Sequence, residues 1–187
     1  MVDKIILASQ SPRRKQLLEW AEVNFEVMVA DTDESFPPGL SFPEAAMHIA
    51  REKALAVKER AGSRPIVAAD TVVVCNNRLL GKPADREQAI SMIKLLSGRE
   101  HLVITGVCIL YGEKVNCLYD ETRVWFNELR DEEISFYVDR HKPYDKAGAY
   151  AIQEWVGVVG IKKIEGDFYN VMGLPVNRVY RELEKLI

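Results

Sequence analysis

Between Ile66 and Cys75 every residue is apolar except Asp70 and Thr71. Arg64-Pro65 before the run and Asn76-Asn77 after it are chain breakers, so the pattern predicts a strand over 66–75. Val67-Ala68-Ala69 on one side and Val72-Val73-Val74 on the other bury it deeply enough that an ionised carboxylate at Asp70 needs a cation or a metal beside it. Asp70 is therefore a candidate functional residue. The structural alternative, in which Asp70 caps a neighbouring turn or pairs with an arginine, stays open at this point.

The rest of the chain alternates helix and strand around that run. Ile5, Ile6 and Leu7 form a short apolar strand, a helix is expected over 12–20, and a strand over 25–29. Apolar spacing through Ala45, Ala46, Ile49, Ala50, Leu55 and Val57 predicts one helix over 42–60. A short strand at Leu79-Leu80, a helix over 85–96 and two long strands over 101–110 and 114–126 follow, the last two joined as a hairpin by Tyr111-Gly112-Glu113. A helix over 131–138, a strand over 156–164 and a closing helix over 175–186 complete the pattern. The mixture implies an α/β fold with a mixed, strongly twisted central sheet flanked by helices. With 187 residues, 48% of them apolar, and no evident linker or repeat, one domain over 1–187 is expected, its two lobes sharing one sheet.

Phosphate chemistry is suggested where the first strand gives way to the first helix. Ser11 is placed to cap, Pro12 occupies the first helical position, and Arg13, Arg14 and Lys15 follow immediately. A helix start favours an anion, and guanidinium forks match phosphate oxygens two at a time. A routine Ser-Pro cap beside a solvated basic face is the plain alternative. A net charge of -3 and a pI near 5.7 argue against stable nucleic-acid binding, so any phosphate recognition is local. No signal-peptide stretch or membrane-length apolar segment is evident, and a cytoplasmic location without membrane contact is expected. Cys75, Cys108 and Cys117 lie in apolar strand-like runs without C-x-x-C spacing and read as buried free thiols, while His48, His101 and His141 show no metal or triad pattern.

Other polar residues sit at breaks. Lys53 lies on the helix after Arg51-Glu52, Lys82 in the rigid turn Gly81-Lys82-Pro83, and Glu34 in the acidic stretch Asp31-Thr32-Asp33-Glu34. Each alone is ordinarily a solvated side chain, yet Glu34 and Asp70 together offer hard oxygen ligands to a divalent cation. Residues 143–153 mix turn formers and charges as a surface loop does, and Gln153 ends them with a donor–acceptor pair suited to a base edge.

Six blocks now stand in order along the chain: Ser9-x-Ser11-Pro12-Arg13-Arg14, Arg51-Glu52-Lys53-Ala54, Ala69-Asp70-Thr71-Val72-Val73, Gly81-Lys82-Pro83, Asp145-Lys146-Ala147-Gly148-Ala149-Tyr150, and Gly166-Asp167-Phe168-Tyr169-Asn170-Val171-Met172-Gly173-Leu174-Pro175. Together they closely resemble the Maf family of nucleotide pyrophosphatases. The resemblance implies a two-lobed fold of the Maf/ITPase kind with an active-site cleft. It also implies cleavage of a nucleoside triphosphate between its α and β phosphates, giving a nucleoside monophosphate and pyrophosphate. The form of residues 145–153 resembles the branch acting on dTTP, UTP and modified pyrimidine nucleotides, with Gln153 as the specificity residue. By the same resemblance Asp70 is the proton acceptor, Arg13 and Thr71 help select the substrate, and Ser9, Arg14, Glu34, Lys53 and Lys82 line the pocket. A divalent cation, Mg²⁺ or Mn²⁺, at Asp70 and Glu34, a homodimer, a house-cleaning role and a link to cell-division arrest are further implications. Glu154-Trp155 departs from the glycine with which relatives commonly continue after Gln153. A regulatory nucleotide- or nucleic-acid-binding protein is the non-enzymatic alternative, and a purine pyrophosphatase preferring ITP or XTP the enzymatic one.

Overall fold

Three fully buried residues, Ile5–Leu7, form β1, and its two partners pair with it in parallel: β2 (Phe25–Val27) and β3 (Ile66–Cys75). Parallel neighbours need a crossover, supplied here by helices. α1 (Pro12–Trp20) links β1 to β2, and α2 (Phe42–Leu55) and α3 (Lys58–Ala61) link β2 to β3. β4 (Arg78–Leu80) returns antiparallel on β3 through Asn76 and Asn77, both left-handed at φ 51° and 58°, the conformation that a two-residue hairpin turn asks of asparagine. After α4 (Arg86–Leu96) come β5 (Glu100–Tyr111), β6 (Lys114–Phe126), α5 (Asp131–His141), α6 (Trp155–Gly160), β7 (Ile161–Glu165), α7 (Phe168–Met172) and α8 (Val176–Glu184). This computed structural model describes residues 4–186. Among them the seven strands form one sheet of order β2-β1-β3-β5-β6-β7, with β4 on β3. None of the helices among the described residues is long and apolar enough to cross a membrane.

The chain divides into two compact units. The first comprises residues up to Thr71, Thr105–Asp120 and the chain from Gly173 onward; the second comprises Val72–Ile104 and Glu121–Met172. In the first unit α2 begins at Ser41, whose backbone N–H donates to the Glu44 carboxylate one turn on (2.8 Å). Its inner face is built from Ala45, Ala46, Ile49, Ala50 and Ala54. Small side chains let the helix press onto β5: a Cβ added at Gly106 would lie 2.3 Å from the Ala46 carbonyl carbon, so only glycine fits there. In the second unit His101, Phe126 and Tyr150 form a buried aromatic cluster with edge-to-face rings, and His101 Nε2 lies 2.7 Å from the Tyr150 hydroxyl. Burial pulls the His101 pKa down to about 3, and its Nδ1 has no hydrogen-bond partner among the described residues.

Four sequence expectations are corrected. The strand expected over 156–164 is a helix, α6, followed by the shorter β7; its valines favour a strand, but Gly157 lies against the Ile152 carbonyl and closes a helical turn on Glu154, so tertiary contact overrides propensity. The helix expected over 42–60 is interrupted at Ala56-Val57 and resumes as α3. Ser11 occupies the N-cap of α1, but its hydroxyl makes no capping bond, and its backbone N–H instead donates to Ser9 Oγ (3.2 Å). Cys117 is exposed, although Cys75 and Cys108 are buried as expected. The helix α7 was not expected from the sequence.

Gly106→Ala is expected to lower unfolding free energy by about 1–3 kcal/mol through overpacking, measured by urea denaturation. The unfolded chain takes up a proton at His101 near pH 6.5, whereas the folded chain resists doing so down to about 3, so this residue's contribution to stability is full above pH 6.5 and falls as pH drops below it. His101→Gln should therefore flatten the acid limb of the unfolding midpoint between pH 6.5 and 4; an unchanged limb contradicts the assignment.

Candidate active site

Asp70 and Thr71 are neighbours on β3 and so present their side chains to opposite faces. On the Asp70 face, Ile66 and Ala68 pack with Ala50 and Ala54 of α2. Lys53, in the last turn of that helix, thereby reaches the strand: its Nζ donates to Asp70 Oδ1 at 2.7 Å and lies 2.9 Å from Glu34 Oε1. The Lys53 and Asp70 side chains are 16% and 14% exposed, Glu34 47%. The carboxylate that the strand buries has thus found its cation, and a second carboxylate joins it from the irregular segment ahead of α2. Both candidate metal ligands, Asp70 and Glu34, converge on this one ammonium. No group of three or more His, Cys, Asp or Glu side chains is arranged for a metal among the described residues. The donor set suits a hard divalent ion only as a two-carboxylate contribution completed by phosphate or water oxygens.

On the opposite face a buried guanidinium organises the site. Arg14 Nη2 donates to Thr71 Oγ1 (3.0 Å), Nη1 to Ser9 Oγ (3.1 Å), and Nε to the Gly173 carbonyl (2.7 Å). Thr71 Oγ1 also lies 2.9 Å from Thr105 Oγ1. Burial pulls the Arg14 pKa down to about 10, opposed by the charges of Asp70 and Glu34 and assisted by Arg13, so Arg14 stays cationic at neutral pH. Gly173 has φ +120°, and a Cβ there would stand 3.6 Å from Thr71 Oγ1 and 3.7 Å from Arg14 Nε; glycine meets the backbone requirement and leaves the carbonyl aimed at the guanidinium. Arg14 therefore spends three donors on the protein frame rather than standing open as a phosphate fork. Arg13 is half-buried on the first turn of α1.

Lys82 and Gln153 belong to the second unit. Lys82 is exposed on the loop after β4, and the preceding Gly81 carbonyl accepts the Gly148 N–H (3.1 Å), which ties this loop to the 145–153 segment. Gly148 and Ala149 turn through left-handed backbone, φ 68° and 61°. Gln153 is exposed, held between buried Ile152 and a polar network centred on Glu154. The Tyr137 hydroxyl donates to the Glu154 carboxylate and accepts the Ala151 N–H (3.3 Å). Lys146, almost wholly buried, lies 3.4 Å from Glu154 Oε1, and His141 Nδ1 3.8 Å from its Oε2. Glu154, the departure noted in the sequence, thus anchors the turn that presents Gln153. Sequence reasoning brought out Ser9, Arg14, Glu34, Lys53, Asp70 and Thr71, which the first unit gathers. It missed Thr105 and Tyr137, whose strand and helix positions carry no motif.

The comparisons with known proteins agree with one another. A dTTP/UTP pyrophosphatase of Cytophaga hutchinsonii is 52% identical over 182 residues, spanning 97% of this chain and 84% of that protein. One of Parabacteroides distasonis is 49% identical over 183 residues, spanning 97% and 95%. The solved structure of the Staphylococcus aureus Ham1 protein shares the fold at a TM-score of 0.51 with 16% identity, covering 99% of this chain and 100% of that one. The family model for Maf-like proteins matches residues 4–186, and with it the chain belongs to the Maf-like family.

Proposed function

We propose that this protein is a nucleoside triphosphate pyrophosphatase that converts dTTP and UTP, with modified pyrimidine nucleotides, to the monophosphate and pyrophosphate. The observation that carries the reading is the convergence of Asp70 and Glu34 on Lys53 beside the Arg14-ordered frame of Ser9 and Thr71. A polyanion is repelled by carboxylates unless they act in reaction or through a cation, so their place among basic groups favours chemistry over mere binding. The names of the similar proteins from Cytophaga and Parabacteroides support the pyrimidine branch.

The Lys53 ammonium fixes the Asp70 carboxylate at 2.7 Å, and Asp70 orients a water and takes its proton as the water oxygen bonds to phosphorus and pyrophosphate leaves. Lys53, Lys82 and Arg13 neutralise the phosphate charge, and positioning plus electrostatics carries most of the rate. Arg14 acts through the hydroxyls it fixes, Ser9 and Thr71, as well as by its charge. Asp70 and Glu34 are the residues that would hold Mg²⁺ or Mn²⁺, which would supply further neutralisation of the triphosphate. Gln153 hydrogen-bonds the pyrimidine edge. A homodimer, a cytoplasmic location, a house-cleaning role and a link to cell-division arrest accompany this reading.

Asp70→Asn is expected to cut turnover of UTP about 10²-fold or more without loss of the folded far-UV spectrum; near-normal turnover by a folded variant contradicts the role. Gln153→Ala should lower the ratio of kcat/KM for UTP over GTP by about tenfold, the worth of one lost hydrogen bond to a base. An unchanged ratio removes Gln153 from base recognition.

A further inference from the structure

β5 and β6 are joined by Gly112-Glu113, with Gly112 at φ 59°. A two-residue connection fixes the antiparallel register by counting outward: Tyr111 faces Lys114, Leu110 faces Val115, Ile109 faces Asn116, and Cys108 faces Cys117. Directly opposed residues share one face of the sheet with Cβ atoms about 4.5–5.5 Å apart, a range whose near end meets the upper end of the about 3.5–4.5 Å that a disulfide spans. The two thiols hydrogen-bond one another across the strands.

Their settings differ in the way a reacting pair requires. Cys108 is fully buried in the cluster that holds Ile6, Ala50, Ala54 and Ala68. Cys117 is exposed, and its neighbours on the same face, Val115 and Tyr119, are exposed as well. The shared hydrogen bond, with help from the Arg51 guanidinium, pulls the Cys117 thiol below its ordinary pKa, while the same bond and burial push Cys108 up. Cys75, the remaining thiol, is buried elsewhere on β3 and burial raises its pKa.

We propose that Cys108 and Cys117 form a thiol oxidation site that hydrogen peroxide converts to an intramolecular cross-strand disulfide. The Cys117 thiolate attacks the peroxide, forming an S–O bond as the O–O bond breaks, and the hydroxide released takes up a proton to become water. The Cys108 sulfur then attacks Cys117, the S–S bond forms as the S–O bond breaks, and the departing hydroxide leaves as water with the Cys108 proton. Two thiols lose two electrons in all, and one peroxide becomes two waters. Because the sulfurs are already opposed, closure requires no change of register. The proposal is independent of the pyrophosphatase reading.

The test treats the full chain with a small molar excess of hydrogen peroxide, alkylates it with iodoacetamide under denaturing conditions, and reads intact and peptide masses. The expected result is a chain lighter by two hydrogens, with the Cys108 and Cys117 peptides linked and unalkylated, Cys75 alkylated, and full reversal by dithiothreitol. In Cys108→Ser, Cys117 should instead be trapped by dimedone as the sulfenic acid with no link. Full alkylation of both peptides after oxidation of the wild type overturns the proposal, as does Cys117 sulfinic acid without a link, a bond to Cys75, or a Cys117 bond between chains. The wild-type masses decide the matter even if a serine variant fails to fold.

Discussion

A carboxylate in the middle of a buried strand must be met by a cation, and the Lys53–Asp70 contact at 2.7 Å meets it. Much of the first unit is arranged so that it forms. Lys53 reaches β3 because α2 lies close against the sheet, and α2 lies close because its inner face is mostly alanine and β5 has glycine at 106. The small residues of this core and the charged residues of the site are therefore one design: packing sets the distance, and the distance sets the electrostatics.

The opposite face of β3 solves a second burial problem. A guanidinium removed from water loses hydration that its hydrogen bonds must replace, and Arg14 replaces it with two hydroxyls and a carbonyl. The bonds draw Ser9, Thr71 and Gly173 together from three distant parts of the chain. Asp70 and Glu34 supply the opposing charge that keeps the buried arginine protonated. Two charged assemblies on adjacent residues of one strand give the candidate site a fixed frame.

The parts of this arrangement that were legible in the sequence are those where residue type conflicts with surroundings. Asp70 stood out because a charge interrupts an apolar run, and Ser11-Pro12-Arg13-Arg14 because cations crowd a helix start; both lie in or beside the charged assemblies. The helix α1 and the strand β3 took the expected bounds; Ser11-Pro12 marks the start of the helix, and Arg64-Pro65 and Asn76-Asn77 mark the two ends of the strand. The valines of 156–159 misled, since their strand preference is weak beside a backbone contact at Gly157 that only the folded chain makes. Arg14 at a helix start suggests either a phosphate fork or a solvated cation, whereas its partners lie as far off as Gly173, and no local pattern predicts so distant a commitment. Tyr137 and Thr105 were silent for the same reason: an isolated hydroxyl acquires meaning from what it faces.

The account turns on the claim that these charged groups serve cleavage of a pyrimidine nucleoside triphosphate between its α and β phosphates. The most direct measurement is product analysis, by ion-exchange chromatography, after the full chain is incubated with dTTP, UTP, CTP, GTP and ITP in the presence of Mg²⁺ or Mn²⁺. The account predicts monophosphate and pyrophosphate in equal amounts from dTTP and UTP ahead of the others. Release of inorganic phosphate with a diphosphate, a preference for the purines, or no turnover of any nucleotide would contradict it.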